Sequence, residues 1–78
     1  MAYKVIQVGT GGQGRAWCER FLPPNVDDGL IEVVAAVDVD PDVLINAQTY
    51  LGLSPDQCYT DIERAFAENP ADFCTIVT

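Results

Sequence analysis

The sequence predicts an α/β domain built on a parallel β-sheet. Short apolar runs that are typical of buried strands alternate with segments of helical periodicity. The 78 residues allow one small domain, and the hydrophobic fraction of 49% is high enough for a packed core. Each predicted element follows from its own residues.

The first strand and the first helix flank a glycine-rich segment. Residues Tyr3–Val8 form an apolar run with β-branched members, which is typical of a buried strand. Residues 12–22 place their apolar side chains at i, i+3, i+4 and i+7, which indicates a helix. Pro23 and Pro24 are expected to end this helix because proline lacks the amide donor, and residues 25–29 are expected to form a polar loop.

The second strand and helix follow. Residues Ile31–Val37 are apolar almost without alternation, as in a strand covered on both faces. Asp40 is expected to cap the next helix, and Pro41 suits its first position. Helical spacing continues at Leu44, Ala47, Gln48 and Leu51. Gly52 is expected to end this helix.

A short third strand is predicted at residues 57–59. Thr60 and Glu63 match a capping box and so predict a helix start, and the helix is expected to end before Pro70. Its apolar stripe consists of Ile62, Ala65 and Phe66. Residues 73–77 are predicted to form a fourth strand.

The predicted order is β-α-β-α-β-α-β. Alternating strands and helical crossovers imply parallel strands. Right-handed crossovers and the usual doubly wound arrangement give the strand order 3-2-1-4. The sequence therefore predicts half of a doubly wound Rossmann fold.

The segment Gly9-Thr10-Gly11-Gly12-Gln13-Gly14 matches the pattern G-x-G-x-x-G. Gly9 is expected to permit the tight turn after the strand, Gly11 to let the backbone approach a pyrophosphate, and Gly14 to let the helix pack closely. Gly12 and Gln13 are placed to donate amide N–H groups to phosphate at the helix N-terminus. The motif follows a strand and opens a helix, which is the context that dinucleotide binding requires.

An acidic partner for the loop stands at Asp38, 24 residues beyond Gly14, against the usual spacing of about 20. A carboxylate at the end of the second strand accepts hydrogen bonds from the adenosine ribose and repels a 2′-phosphate. No Lys or Arg follows it, and the next charged residues are Asp40 and Asp42. These residues favour NAD over NADP as the cofactor.

Glycine-rich loops of this kind have three other interpretations. In the first, the loop is a tight turn without a ligand, and Asp38 is a solvated strand end. The second is binding of S-adenosylmethionine by a methyltransferase, whose usual glycine spacing is G-x-G-x-G, whereas Gln13 occupies the third glycine position here. The third, a kinase-type P-loop, is excluded, because no Lys follows the glycines.

The charge and composition of the chain disfavour several classes of partner and of ligand site. Four Lys and Arg residues against twelve Asp and Glu residues give a net charge of −8, which disfavours nucleic acid and anionic membrane surfaces as partners. No apolar run approaches the roughly 20 residues of a membrane span, and the N-terminus does not resemble a secretory signal. The chain contains no His, and its cysteines (Cys18, Cys58 and Cys74) form no C-x-x-C pair. A metal site is therefore not expected, and the thiols are expected to be reduced, as in the cytoplasm.

Four segments carry a resemblance to a known family: KVIQVGTGGQGR, EVVAAVDVDPD, CYTDIERAF and ADFCTIVT. Together they resemble the N-terminal domain of the glucose–fructose oxidoreductase/inositol dehydrogenase (Gfo/Idh/MocA) family over essentially the whole chain. The resemblance implies a cytoplasmic NAD(P)-dependent dehydrogenase that transfers a hydride between a nicotinamide cofactor and a sugar, polyol or related small molecule. It implies these cofactor contacts: Gly9, Gly11, Gly12, Gln13, Gly14 and Asp38, with Thr78 on the nicotinamide side.

The family's catalytic Glu-Lys-Pro motif and its later Asp/His pair have no counterpart in residues 1–78. Residues 1–78 are therefore expected to be a dinucleotide-binding fragment that lacks a substrate domain and is not catalytic alone. The small-molecule substrate would bind only in the full-length protein. The alternatives are a stand-alone sensor or regulatory module that binds a dinucleotide without catalysis, and an interaction fragment with an empty loop. An exposed fourth strand at the sheet edge predicts self-association.

Overall fold

The computed structural model describes residues 2–77 and shows an α/β fold with one four-stranded parallel sheet. The strands are β1 (Tyr3–Val8), β2 (Ile31–Val37), β3 (Cys58–Tyr59) and β4 (Phe73–Ile76). Their spatial order is β3-β2-β1-β4, and all three pairings are parallel. The predicted class, alternation and strand order are confirmed, and β3 and β4 are each one residue shorter than predicted.

The first helical segment is longer than expected. It consists of α1 (Gln13–Ala16), a π-helical stretch (Trp17–Phe21) and α2 (Leu22–Asp27), which follow one another without a break. The prediction that Pro23 and Pro24 end the helix, with a loop from residue 25, is therefore wrong. Both prolines lie near the start of α2, where a missing amide breaks no hydrogen bond. The wide π turn provides this new start within a continuing helix.

The second helical region begins and ends as predicted. A 3-10 turn (Pro41–Leu44) leads into α3 (Ile45–Leu51). The Asp40 carboxylate accepts a hydrogen bond from the Asp42 amide at 2.9 Å and caps the start. Gly52 adopts a left-handed conformation (φ 70°) and ends the helix.

The helix before β4 starts one residue later than predicted. A 3-10 turn (Pro55–Gln57) precedes β3, and α4 spans Ile62–Glu68. Asp61, and not Thr60, caps α4, because its side chain accepts hydrogen bonds from the amides of Glu63 and Arg64. A carboxylate is a charged acceptor that also interacts favourably with the helix dipole. No helix within residues 2–77 has both the length and the apolarity needed to cross a bilayer.

The sheet is covered on both faces by separate clusters of buried side chains. One cluster packs the first helical segment and α3 against the sheet: Cys18, Leu22, Val33, Ala36, Leu44, Ala47 and Leu53. The other packs α4 against the opposite face: Ile6, Ala35, Val37 and Ala65. The alternation of Ala35, Ala36 and Val37 between the clusters follows the period of a strand.

A β-bulge in β2 sets which residues face which cluster. Val5 pairs with Val33, but Ile6 pairs with Ala35, so Val34 is an extra residue in β2. The extra residue shifts the register of every later residue of β2 against β1 by one position. It thereby determines which residue of β1 lies beside the carboxyl end of β2.

Candidate functional site

The carboxyl ends of β1, β2 and β4 meet at one edge of the sheet, where open α/β folds bind ligands. A cleft of about 350 Å³ lies there, lined by Gly9 and Gly11 of the loop after β1, by Asp38 and Val39 after β2, and by Val43. A larger cavity of about 620 Å³ lies at the outer edge of β3 and includes none of the glycines. A third cleft of about 240 Å³ includes Gly9 and Asp38 but no other glycine of the loop. The cleft of about 350 Å³ is the candidate site, because Asp38 and two glycines of the loop line it.

Two glycines of the loop are required by packing. A Cβ atom on Gly14 would lie 2.2 Å from the Gly9 carbonyl oxygen, so the helix start packs directly against the end of β1. Gly9 has a φ of +97°, and its Cβ would lie 1.9 Å from the carbonyl oxygen of Val77. No residue with a side chain fits either position. A Cβ on Gly11 would instead meet the Val43 side chain at 3.2 Å.

The four carbonyl oxygens from Gly9 to Gly12 are all occupied within the chain. The Gln7 Nε2 donates to the Gly9 oxygen and the Asn46 Nδ2 to the Thr10 oxygen, both at 2.9 Å. The next two oxygens accept from backbone amides: Gly14 N to Gly11 O at 2.9 Å and Arg15 N to Gly12 O at 3.2 Å. None of these four carbonyls therefore needs a ligand as its hydrogen-bond partner.

The amides of the loop are not all occupied. The Gly9 amide donates to the Val37 carbonyl at 2.8 Å, and the Thr10 amide donates to the Asp38 carboxylate at 2.9 Å. Within residues 2–77, no hydrogen bond uses the amides of Gly12 or Gln13, and both residues are exposed. The loop thus has a surplus of donors, which is the composition of an anion-binding backbone segment.

Asp38 is held against this loop by hydrogen bonds to both of its carboxylate oxygens. One oxygen accepts from the Thr10 amide, and the other accepts from the Asp40 amide, each at 2.9 Å. Burial favours the neutral acid, but the amides of Thr10, Asp40 and Gly11 outweigh it and lower the pKa of Asp38. The side chain is therefore an ionised acceptor at neutral pH, and the carboxylate as a whole keeps acceptor capacity for a ligand.

Three residues that hold the site lie outside the predicted set. Thr10 is completely buried, and its hydroxyl donates to the Val43 carbonyl at 2.8 Å. Gln7 is also completely buried and accepts a hydrogen bond from the Thr75 hydroxyl. Asn46 reaches the loop from α3. Gln7 could have been noticed as the polar residue inside an apolar strand run, whereas nothing in the sequence marks Asn46.

The structure brings together the loop residues Gly9 to Gly14 and Asp38, whereas Thr78 lies outside the described residues. Arg15, which follows the loop, does not face it: its guanidinium donates to the Tyr50 hydroxyl at 3.2 Å and pairs with Glu19 at 3.6 Å. These contacts direct the Arg15 guanidinium towards Glu19 and towards Tyr50 of α3.

The cysteines lie away from this cleft. All three are free thiols, with Cys18 buried and Cys58 and Cys74 half-buried. Burial, with a smaller contribution from the charge of Cys58, raises the pKa of Cys18 to about 11. Among residues 2–77, no group of three or more Cys, Asp or Glu side chains is arranged to hold a metal ion.

The chain is similar to a curated protein from the bacterium Sinorhizobium fredii (strain NBRC 101917 / NGR234), which is named uncharacterized protein y4oX. The two are 52% identical over 77 residues, which cover 99% of this chain but 21% of the relative. No protein-family model and no solved structure matches the chain. The chain thus spans about a fifth of the length of the curated relative that it matches.

Proposed function

We propose that this chain binds a dinucleotide, NAD in preference to NADP, in the cleft between the glycine loop and Asp38. The observation that carries the proposal is the hydrogen-bond balance of the loop. All four carbonyls from Gly9 to Gly12 are occupied, while two amides at the start of the helix have no partner among residues 2–77. A pyrophosphate has only acceptor oxygens, so its chemistry complements this loop.

The position of the two amides supports a phosphate ligand. Gly12 is the N-cap and Gln13 the first residue of a helical segment that continues to Asp27, so the positive end of its dipole lies at the same place. A Cβ atom on Gly12, whose φ is +56°, would meet no other atom within 4 Å, which leaves open space in front of its backbone. Backbone donors, a helix dipole and open space together suit an anion better than a neutral group.

Asp38 supports a ribose with free hydroxyl groups next to the pyrophosphate. Its oxygens retain acceptor capacity after bonding to Thr10 and Asp40, and the lowered pKa keeps the carboxylate charged. A 2′-phosphate at the same position would meet this charge and those of Asp40 and Asp42. NAD is therefore the preferred dinucleotide. The parallel sheet of order 3-2-1-4 is compatible with the corresponding half of a Rossmann fold.

We propose further that this site serves a dehydrogenase that acts on a sugar, polyol or related small molecule. The resemblance to the Gfo/Idh/MocA family supports this activity, and the relative extends well beyond the segment that matches. Residues 1–78 contain no His, and Lys4, the one Lys, lies at the amino end of β1, away from the cleft. The group that moves a proton would belong to another part of a longer protein.

The absence of His from the sequence also favours the alternative, a dinucleotide-binding module that senses or regulates without catalysis. The reading frame around the coding sequence separates the two. A continuation with a Glu-Lys-Pro motif after the fourth strand supports the dehydrogenase, whereas a stop codon directly after Thr78 supports the module.

The binding proposal is tested by an amide NMR titration of the 78-residue chain with NAD and then NADP. We expect NAD to shift the Gly12 and Gln13 resonances most, with smaller shifts near Asp38, and NADP to bind more weakly. Asp38→Asn is the matched variant: it removes the charge while keeping the shape, so the preference for NAD should decrease. A well-dispersed spectrum that neither dinucleotide changes would overturn the proposal.

A further inference from the structure

We infer that two carboxamide side chains outside the glycine motif, Asn46 and Gln7, are positioning residues for the anion site. This inference rests on the proposed dinucleotide function. Each side chain donates one hydrogen bond to a loop carbonyl, at 2.9 Å in both cases. Their role is to hold the carbonyl oxygens of the loop away from the ligand, so that the loop presents amides to it.

Asn46 acts on the Thr10 carbonyl from α3. This oxygen lies three residues before Gln13, so it is the acceptor that the Gln13 amide would use in a tight turn. A carbonyl oxygen has two lone pairs, so the Asn46 Nδ2 acts by fixing the direction of this carbonyl and not by saturating it, and the Gln13 amide makes no hydrogen bond within residues 2–77. Thr10 is completely buried, so water does not compete for this carbonyl. Asn46 thereby keeps one anion-binding donor available.

Gln7 acts on the Gly9 carbonyl from β1. The Thr75 hydroxyl on β4 donates to the Gln7 Oε1, and the Gln7 Nε2 therefore faces the Gly9 oxygen. That oxygen is the atom that leaves no space for a Cβ on Gly14. Gln7 is completely buried, and its two hydrogen bonds connect β4 to the glycine loop.

A phosphate near this loop would be repelled by any carbonyl oxygen that turned towards it. The glycines allow the loop to adopt its backbone conformation, but the oxygens of Gly9 and Thr10 have no backbone hydrogen-bond partners. A loop of several glycines has many accessible conformations, and each anchored carbonyl removes some of them. The two carboxamides therefore reduce the conformational entropy that the loop would lose when phosphate binds.

The test compares NAD with adenosine, which lacks the pyrophosphate, as ligands of the 78-residue chain and its Asn46→Ala variant. We expect NAD to bind the variant about tenfold more weakly, the effect of one lost hydrogen bond, while adenosine affinity changes less than about twofold. Without ligand, exchange of the Gln13 amide with water should slow, because that amide can then donate to the Thr10 carbonyl.

Asn25→Ala is the matched control. The Asn25 Nδ2 also donates to a backbone carbonyl, that of Phe21 at 2.8 Å, but it lies outside the cleft. We expect it to leave both affinities unchanged. Gln7→Met, which keeps the side-chain volume, is the second variant and should weaken NAD binding in the same selective way.

The outcomes separate this inference from the function on which it rests. An Asn46→Ala variant that binds NAD as tightly as the unmodified chain would overturn the positioning role and leave the dinucleotide function standing. Equal losses of NAD and adenosine affinity would also overturn it, because they would indicate general loosening. An unmodified chain that is folded and binds neither dinucleotide would overturn the proposed function and the inference with it.

Discussion

The glycines of the loop differ in the atoms that an added methyl group would contact. We expect Gly14→Ala to lower the free energy of unfolding by about 3 kcal/mol or more, because its Cβ would lie 2.2 Å from a backbone oxygen. Gly12→Ala should cost about 1–3 kcal/mol, because the position is open and the penalty comes from its backbone conformation alone, with φ 56° and ψ −120°. Urea unfolding of both variants measures the difference.

Gly52→Ala is the control for the positive-φ penalty, since Gly52 has a φ of +70° in open space away from the cleft. Gly52 is left-handed α with ψ 20°, so Gly52→Ala should cost about 1–2 kcal/mol and leave ligand binding unchanged. Equal losses of stability for Gly12→Ala and Gly14→Ala would contradict the close packing of the helix start against the end of β1.

Asp38 also makes stability depend on pH. Its pKa is lower in the folded chain than the ordinary value of about 3.9, so its stabilising contribution is complete above that value. The contribution is lost as the pH falls through the lower folded pKa. We expect Asp38→Asn to cost about 1–3 kcal/mol at pH 7, through its bonds to the Thr10 and Asp40 amides.

Urea unfolding of the unmodified chain and of Asp38→Asn between pH 7 and pH 2 tests this expectation. The stability difference between the unmodified chain and Asp38→Asn should decrease with acidification below about pH 4. A difference that stayed constant to pH 2 would show that the charge of Asp38 does not contribute.

The glycine spacing and the acidic residue after β2 could be identified from the sequence, because both are local to strand ends. The residues that fix their geometry could not. Asn46 donates to Thr10 across 36 positions, and Thr75 donates to Gln7 across 68. Such pairs depend on where α3 and β4 pack, which no local pattern encodes.

The start of α4 allows a direct test of which residue caps the helix. Asp61→Ala should cost about 1 kcal/mol, because its carboxylate accepts hydrogen bonds from two amides of the first turn. Thr60→Ala, at the neighbouring position, should change stability by less than about 0.5 kcal/mol. Thermal unfolding of the two variants measures this, and a larger loss for Thr60→Ala would place the cap where the capping-box pattern predicts it.

The strands could be predicted because each is a short apolar run between turn residues. Their parallel order followed from the helices between them. The helix through Pro23 and Pro24 could not be predicted, because a π turn depends on how the preceding residues pack. Nor does the run Ile31–Val37 reveal its bulge, since both faces of the strand are apolar and no alternation marks the extra residue.

The two faces of the sheet are covered unequally. Two helical segments pack on one face, and α4 packs alone on the other. Phe66, Phe73 and Ile76 are 44–62% exposed near the β4 edge. An apolar edge strand tends to pair with another copy, so we expect the chain to self-associate at high concentration.

Sedimentation velocity over a concentration series tests this expectation. Ile76→Lys should shift the chain towards monomer, because charge on an edge strand opposes pairing. Val26→Lys is the matched control, since Val26 is 39% exposed on α2, away from β4, and the change in net charge is the same. Equal effects of the two variants would assign self-association to net charge and not to this edge.

The burial of Cys18 makes the labelling rate of its thiol a measure of local opening of the fold. Thiols react with disulfide reagents as thiolates. The Cys18 thiol is inaccessible and has a pKa of about 11, so it reacts only when the helical segment separates from the sheet. Its labelling rate therefore counts opening events, while Cys58 and Cys74 react earlier. Because the same helical segment begins at the glycine loop, a ligand bound there should slow the labelling of Cys18. The decrease in labelling rate would report binding without any catalytic assay.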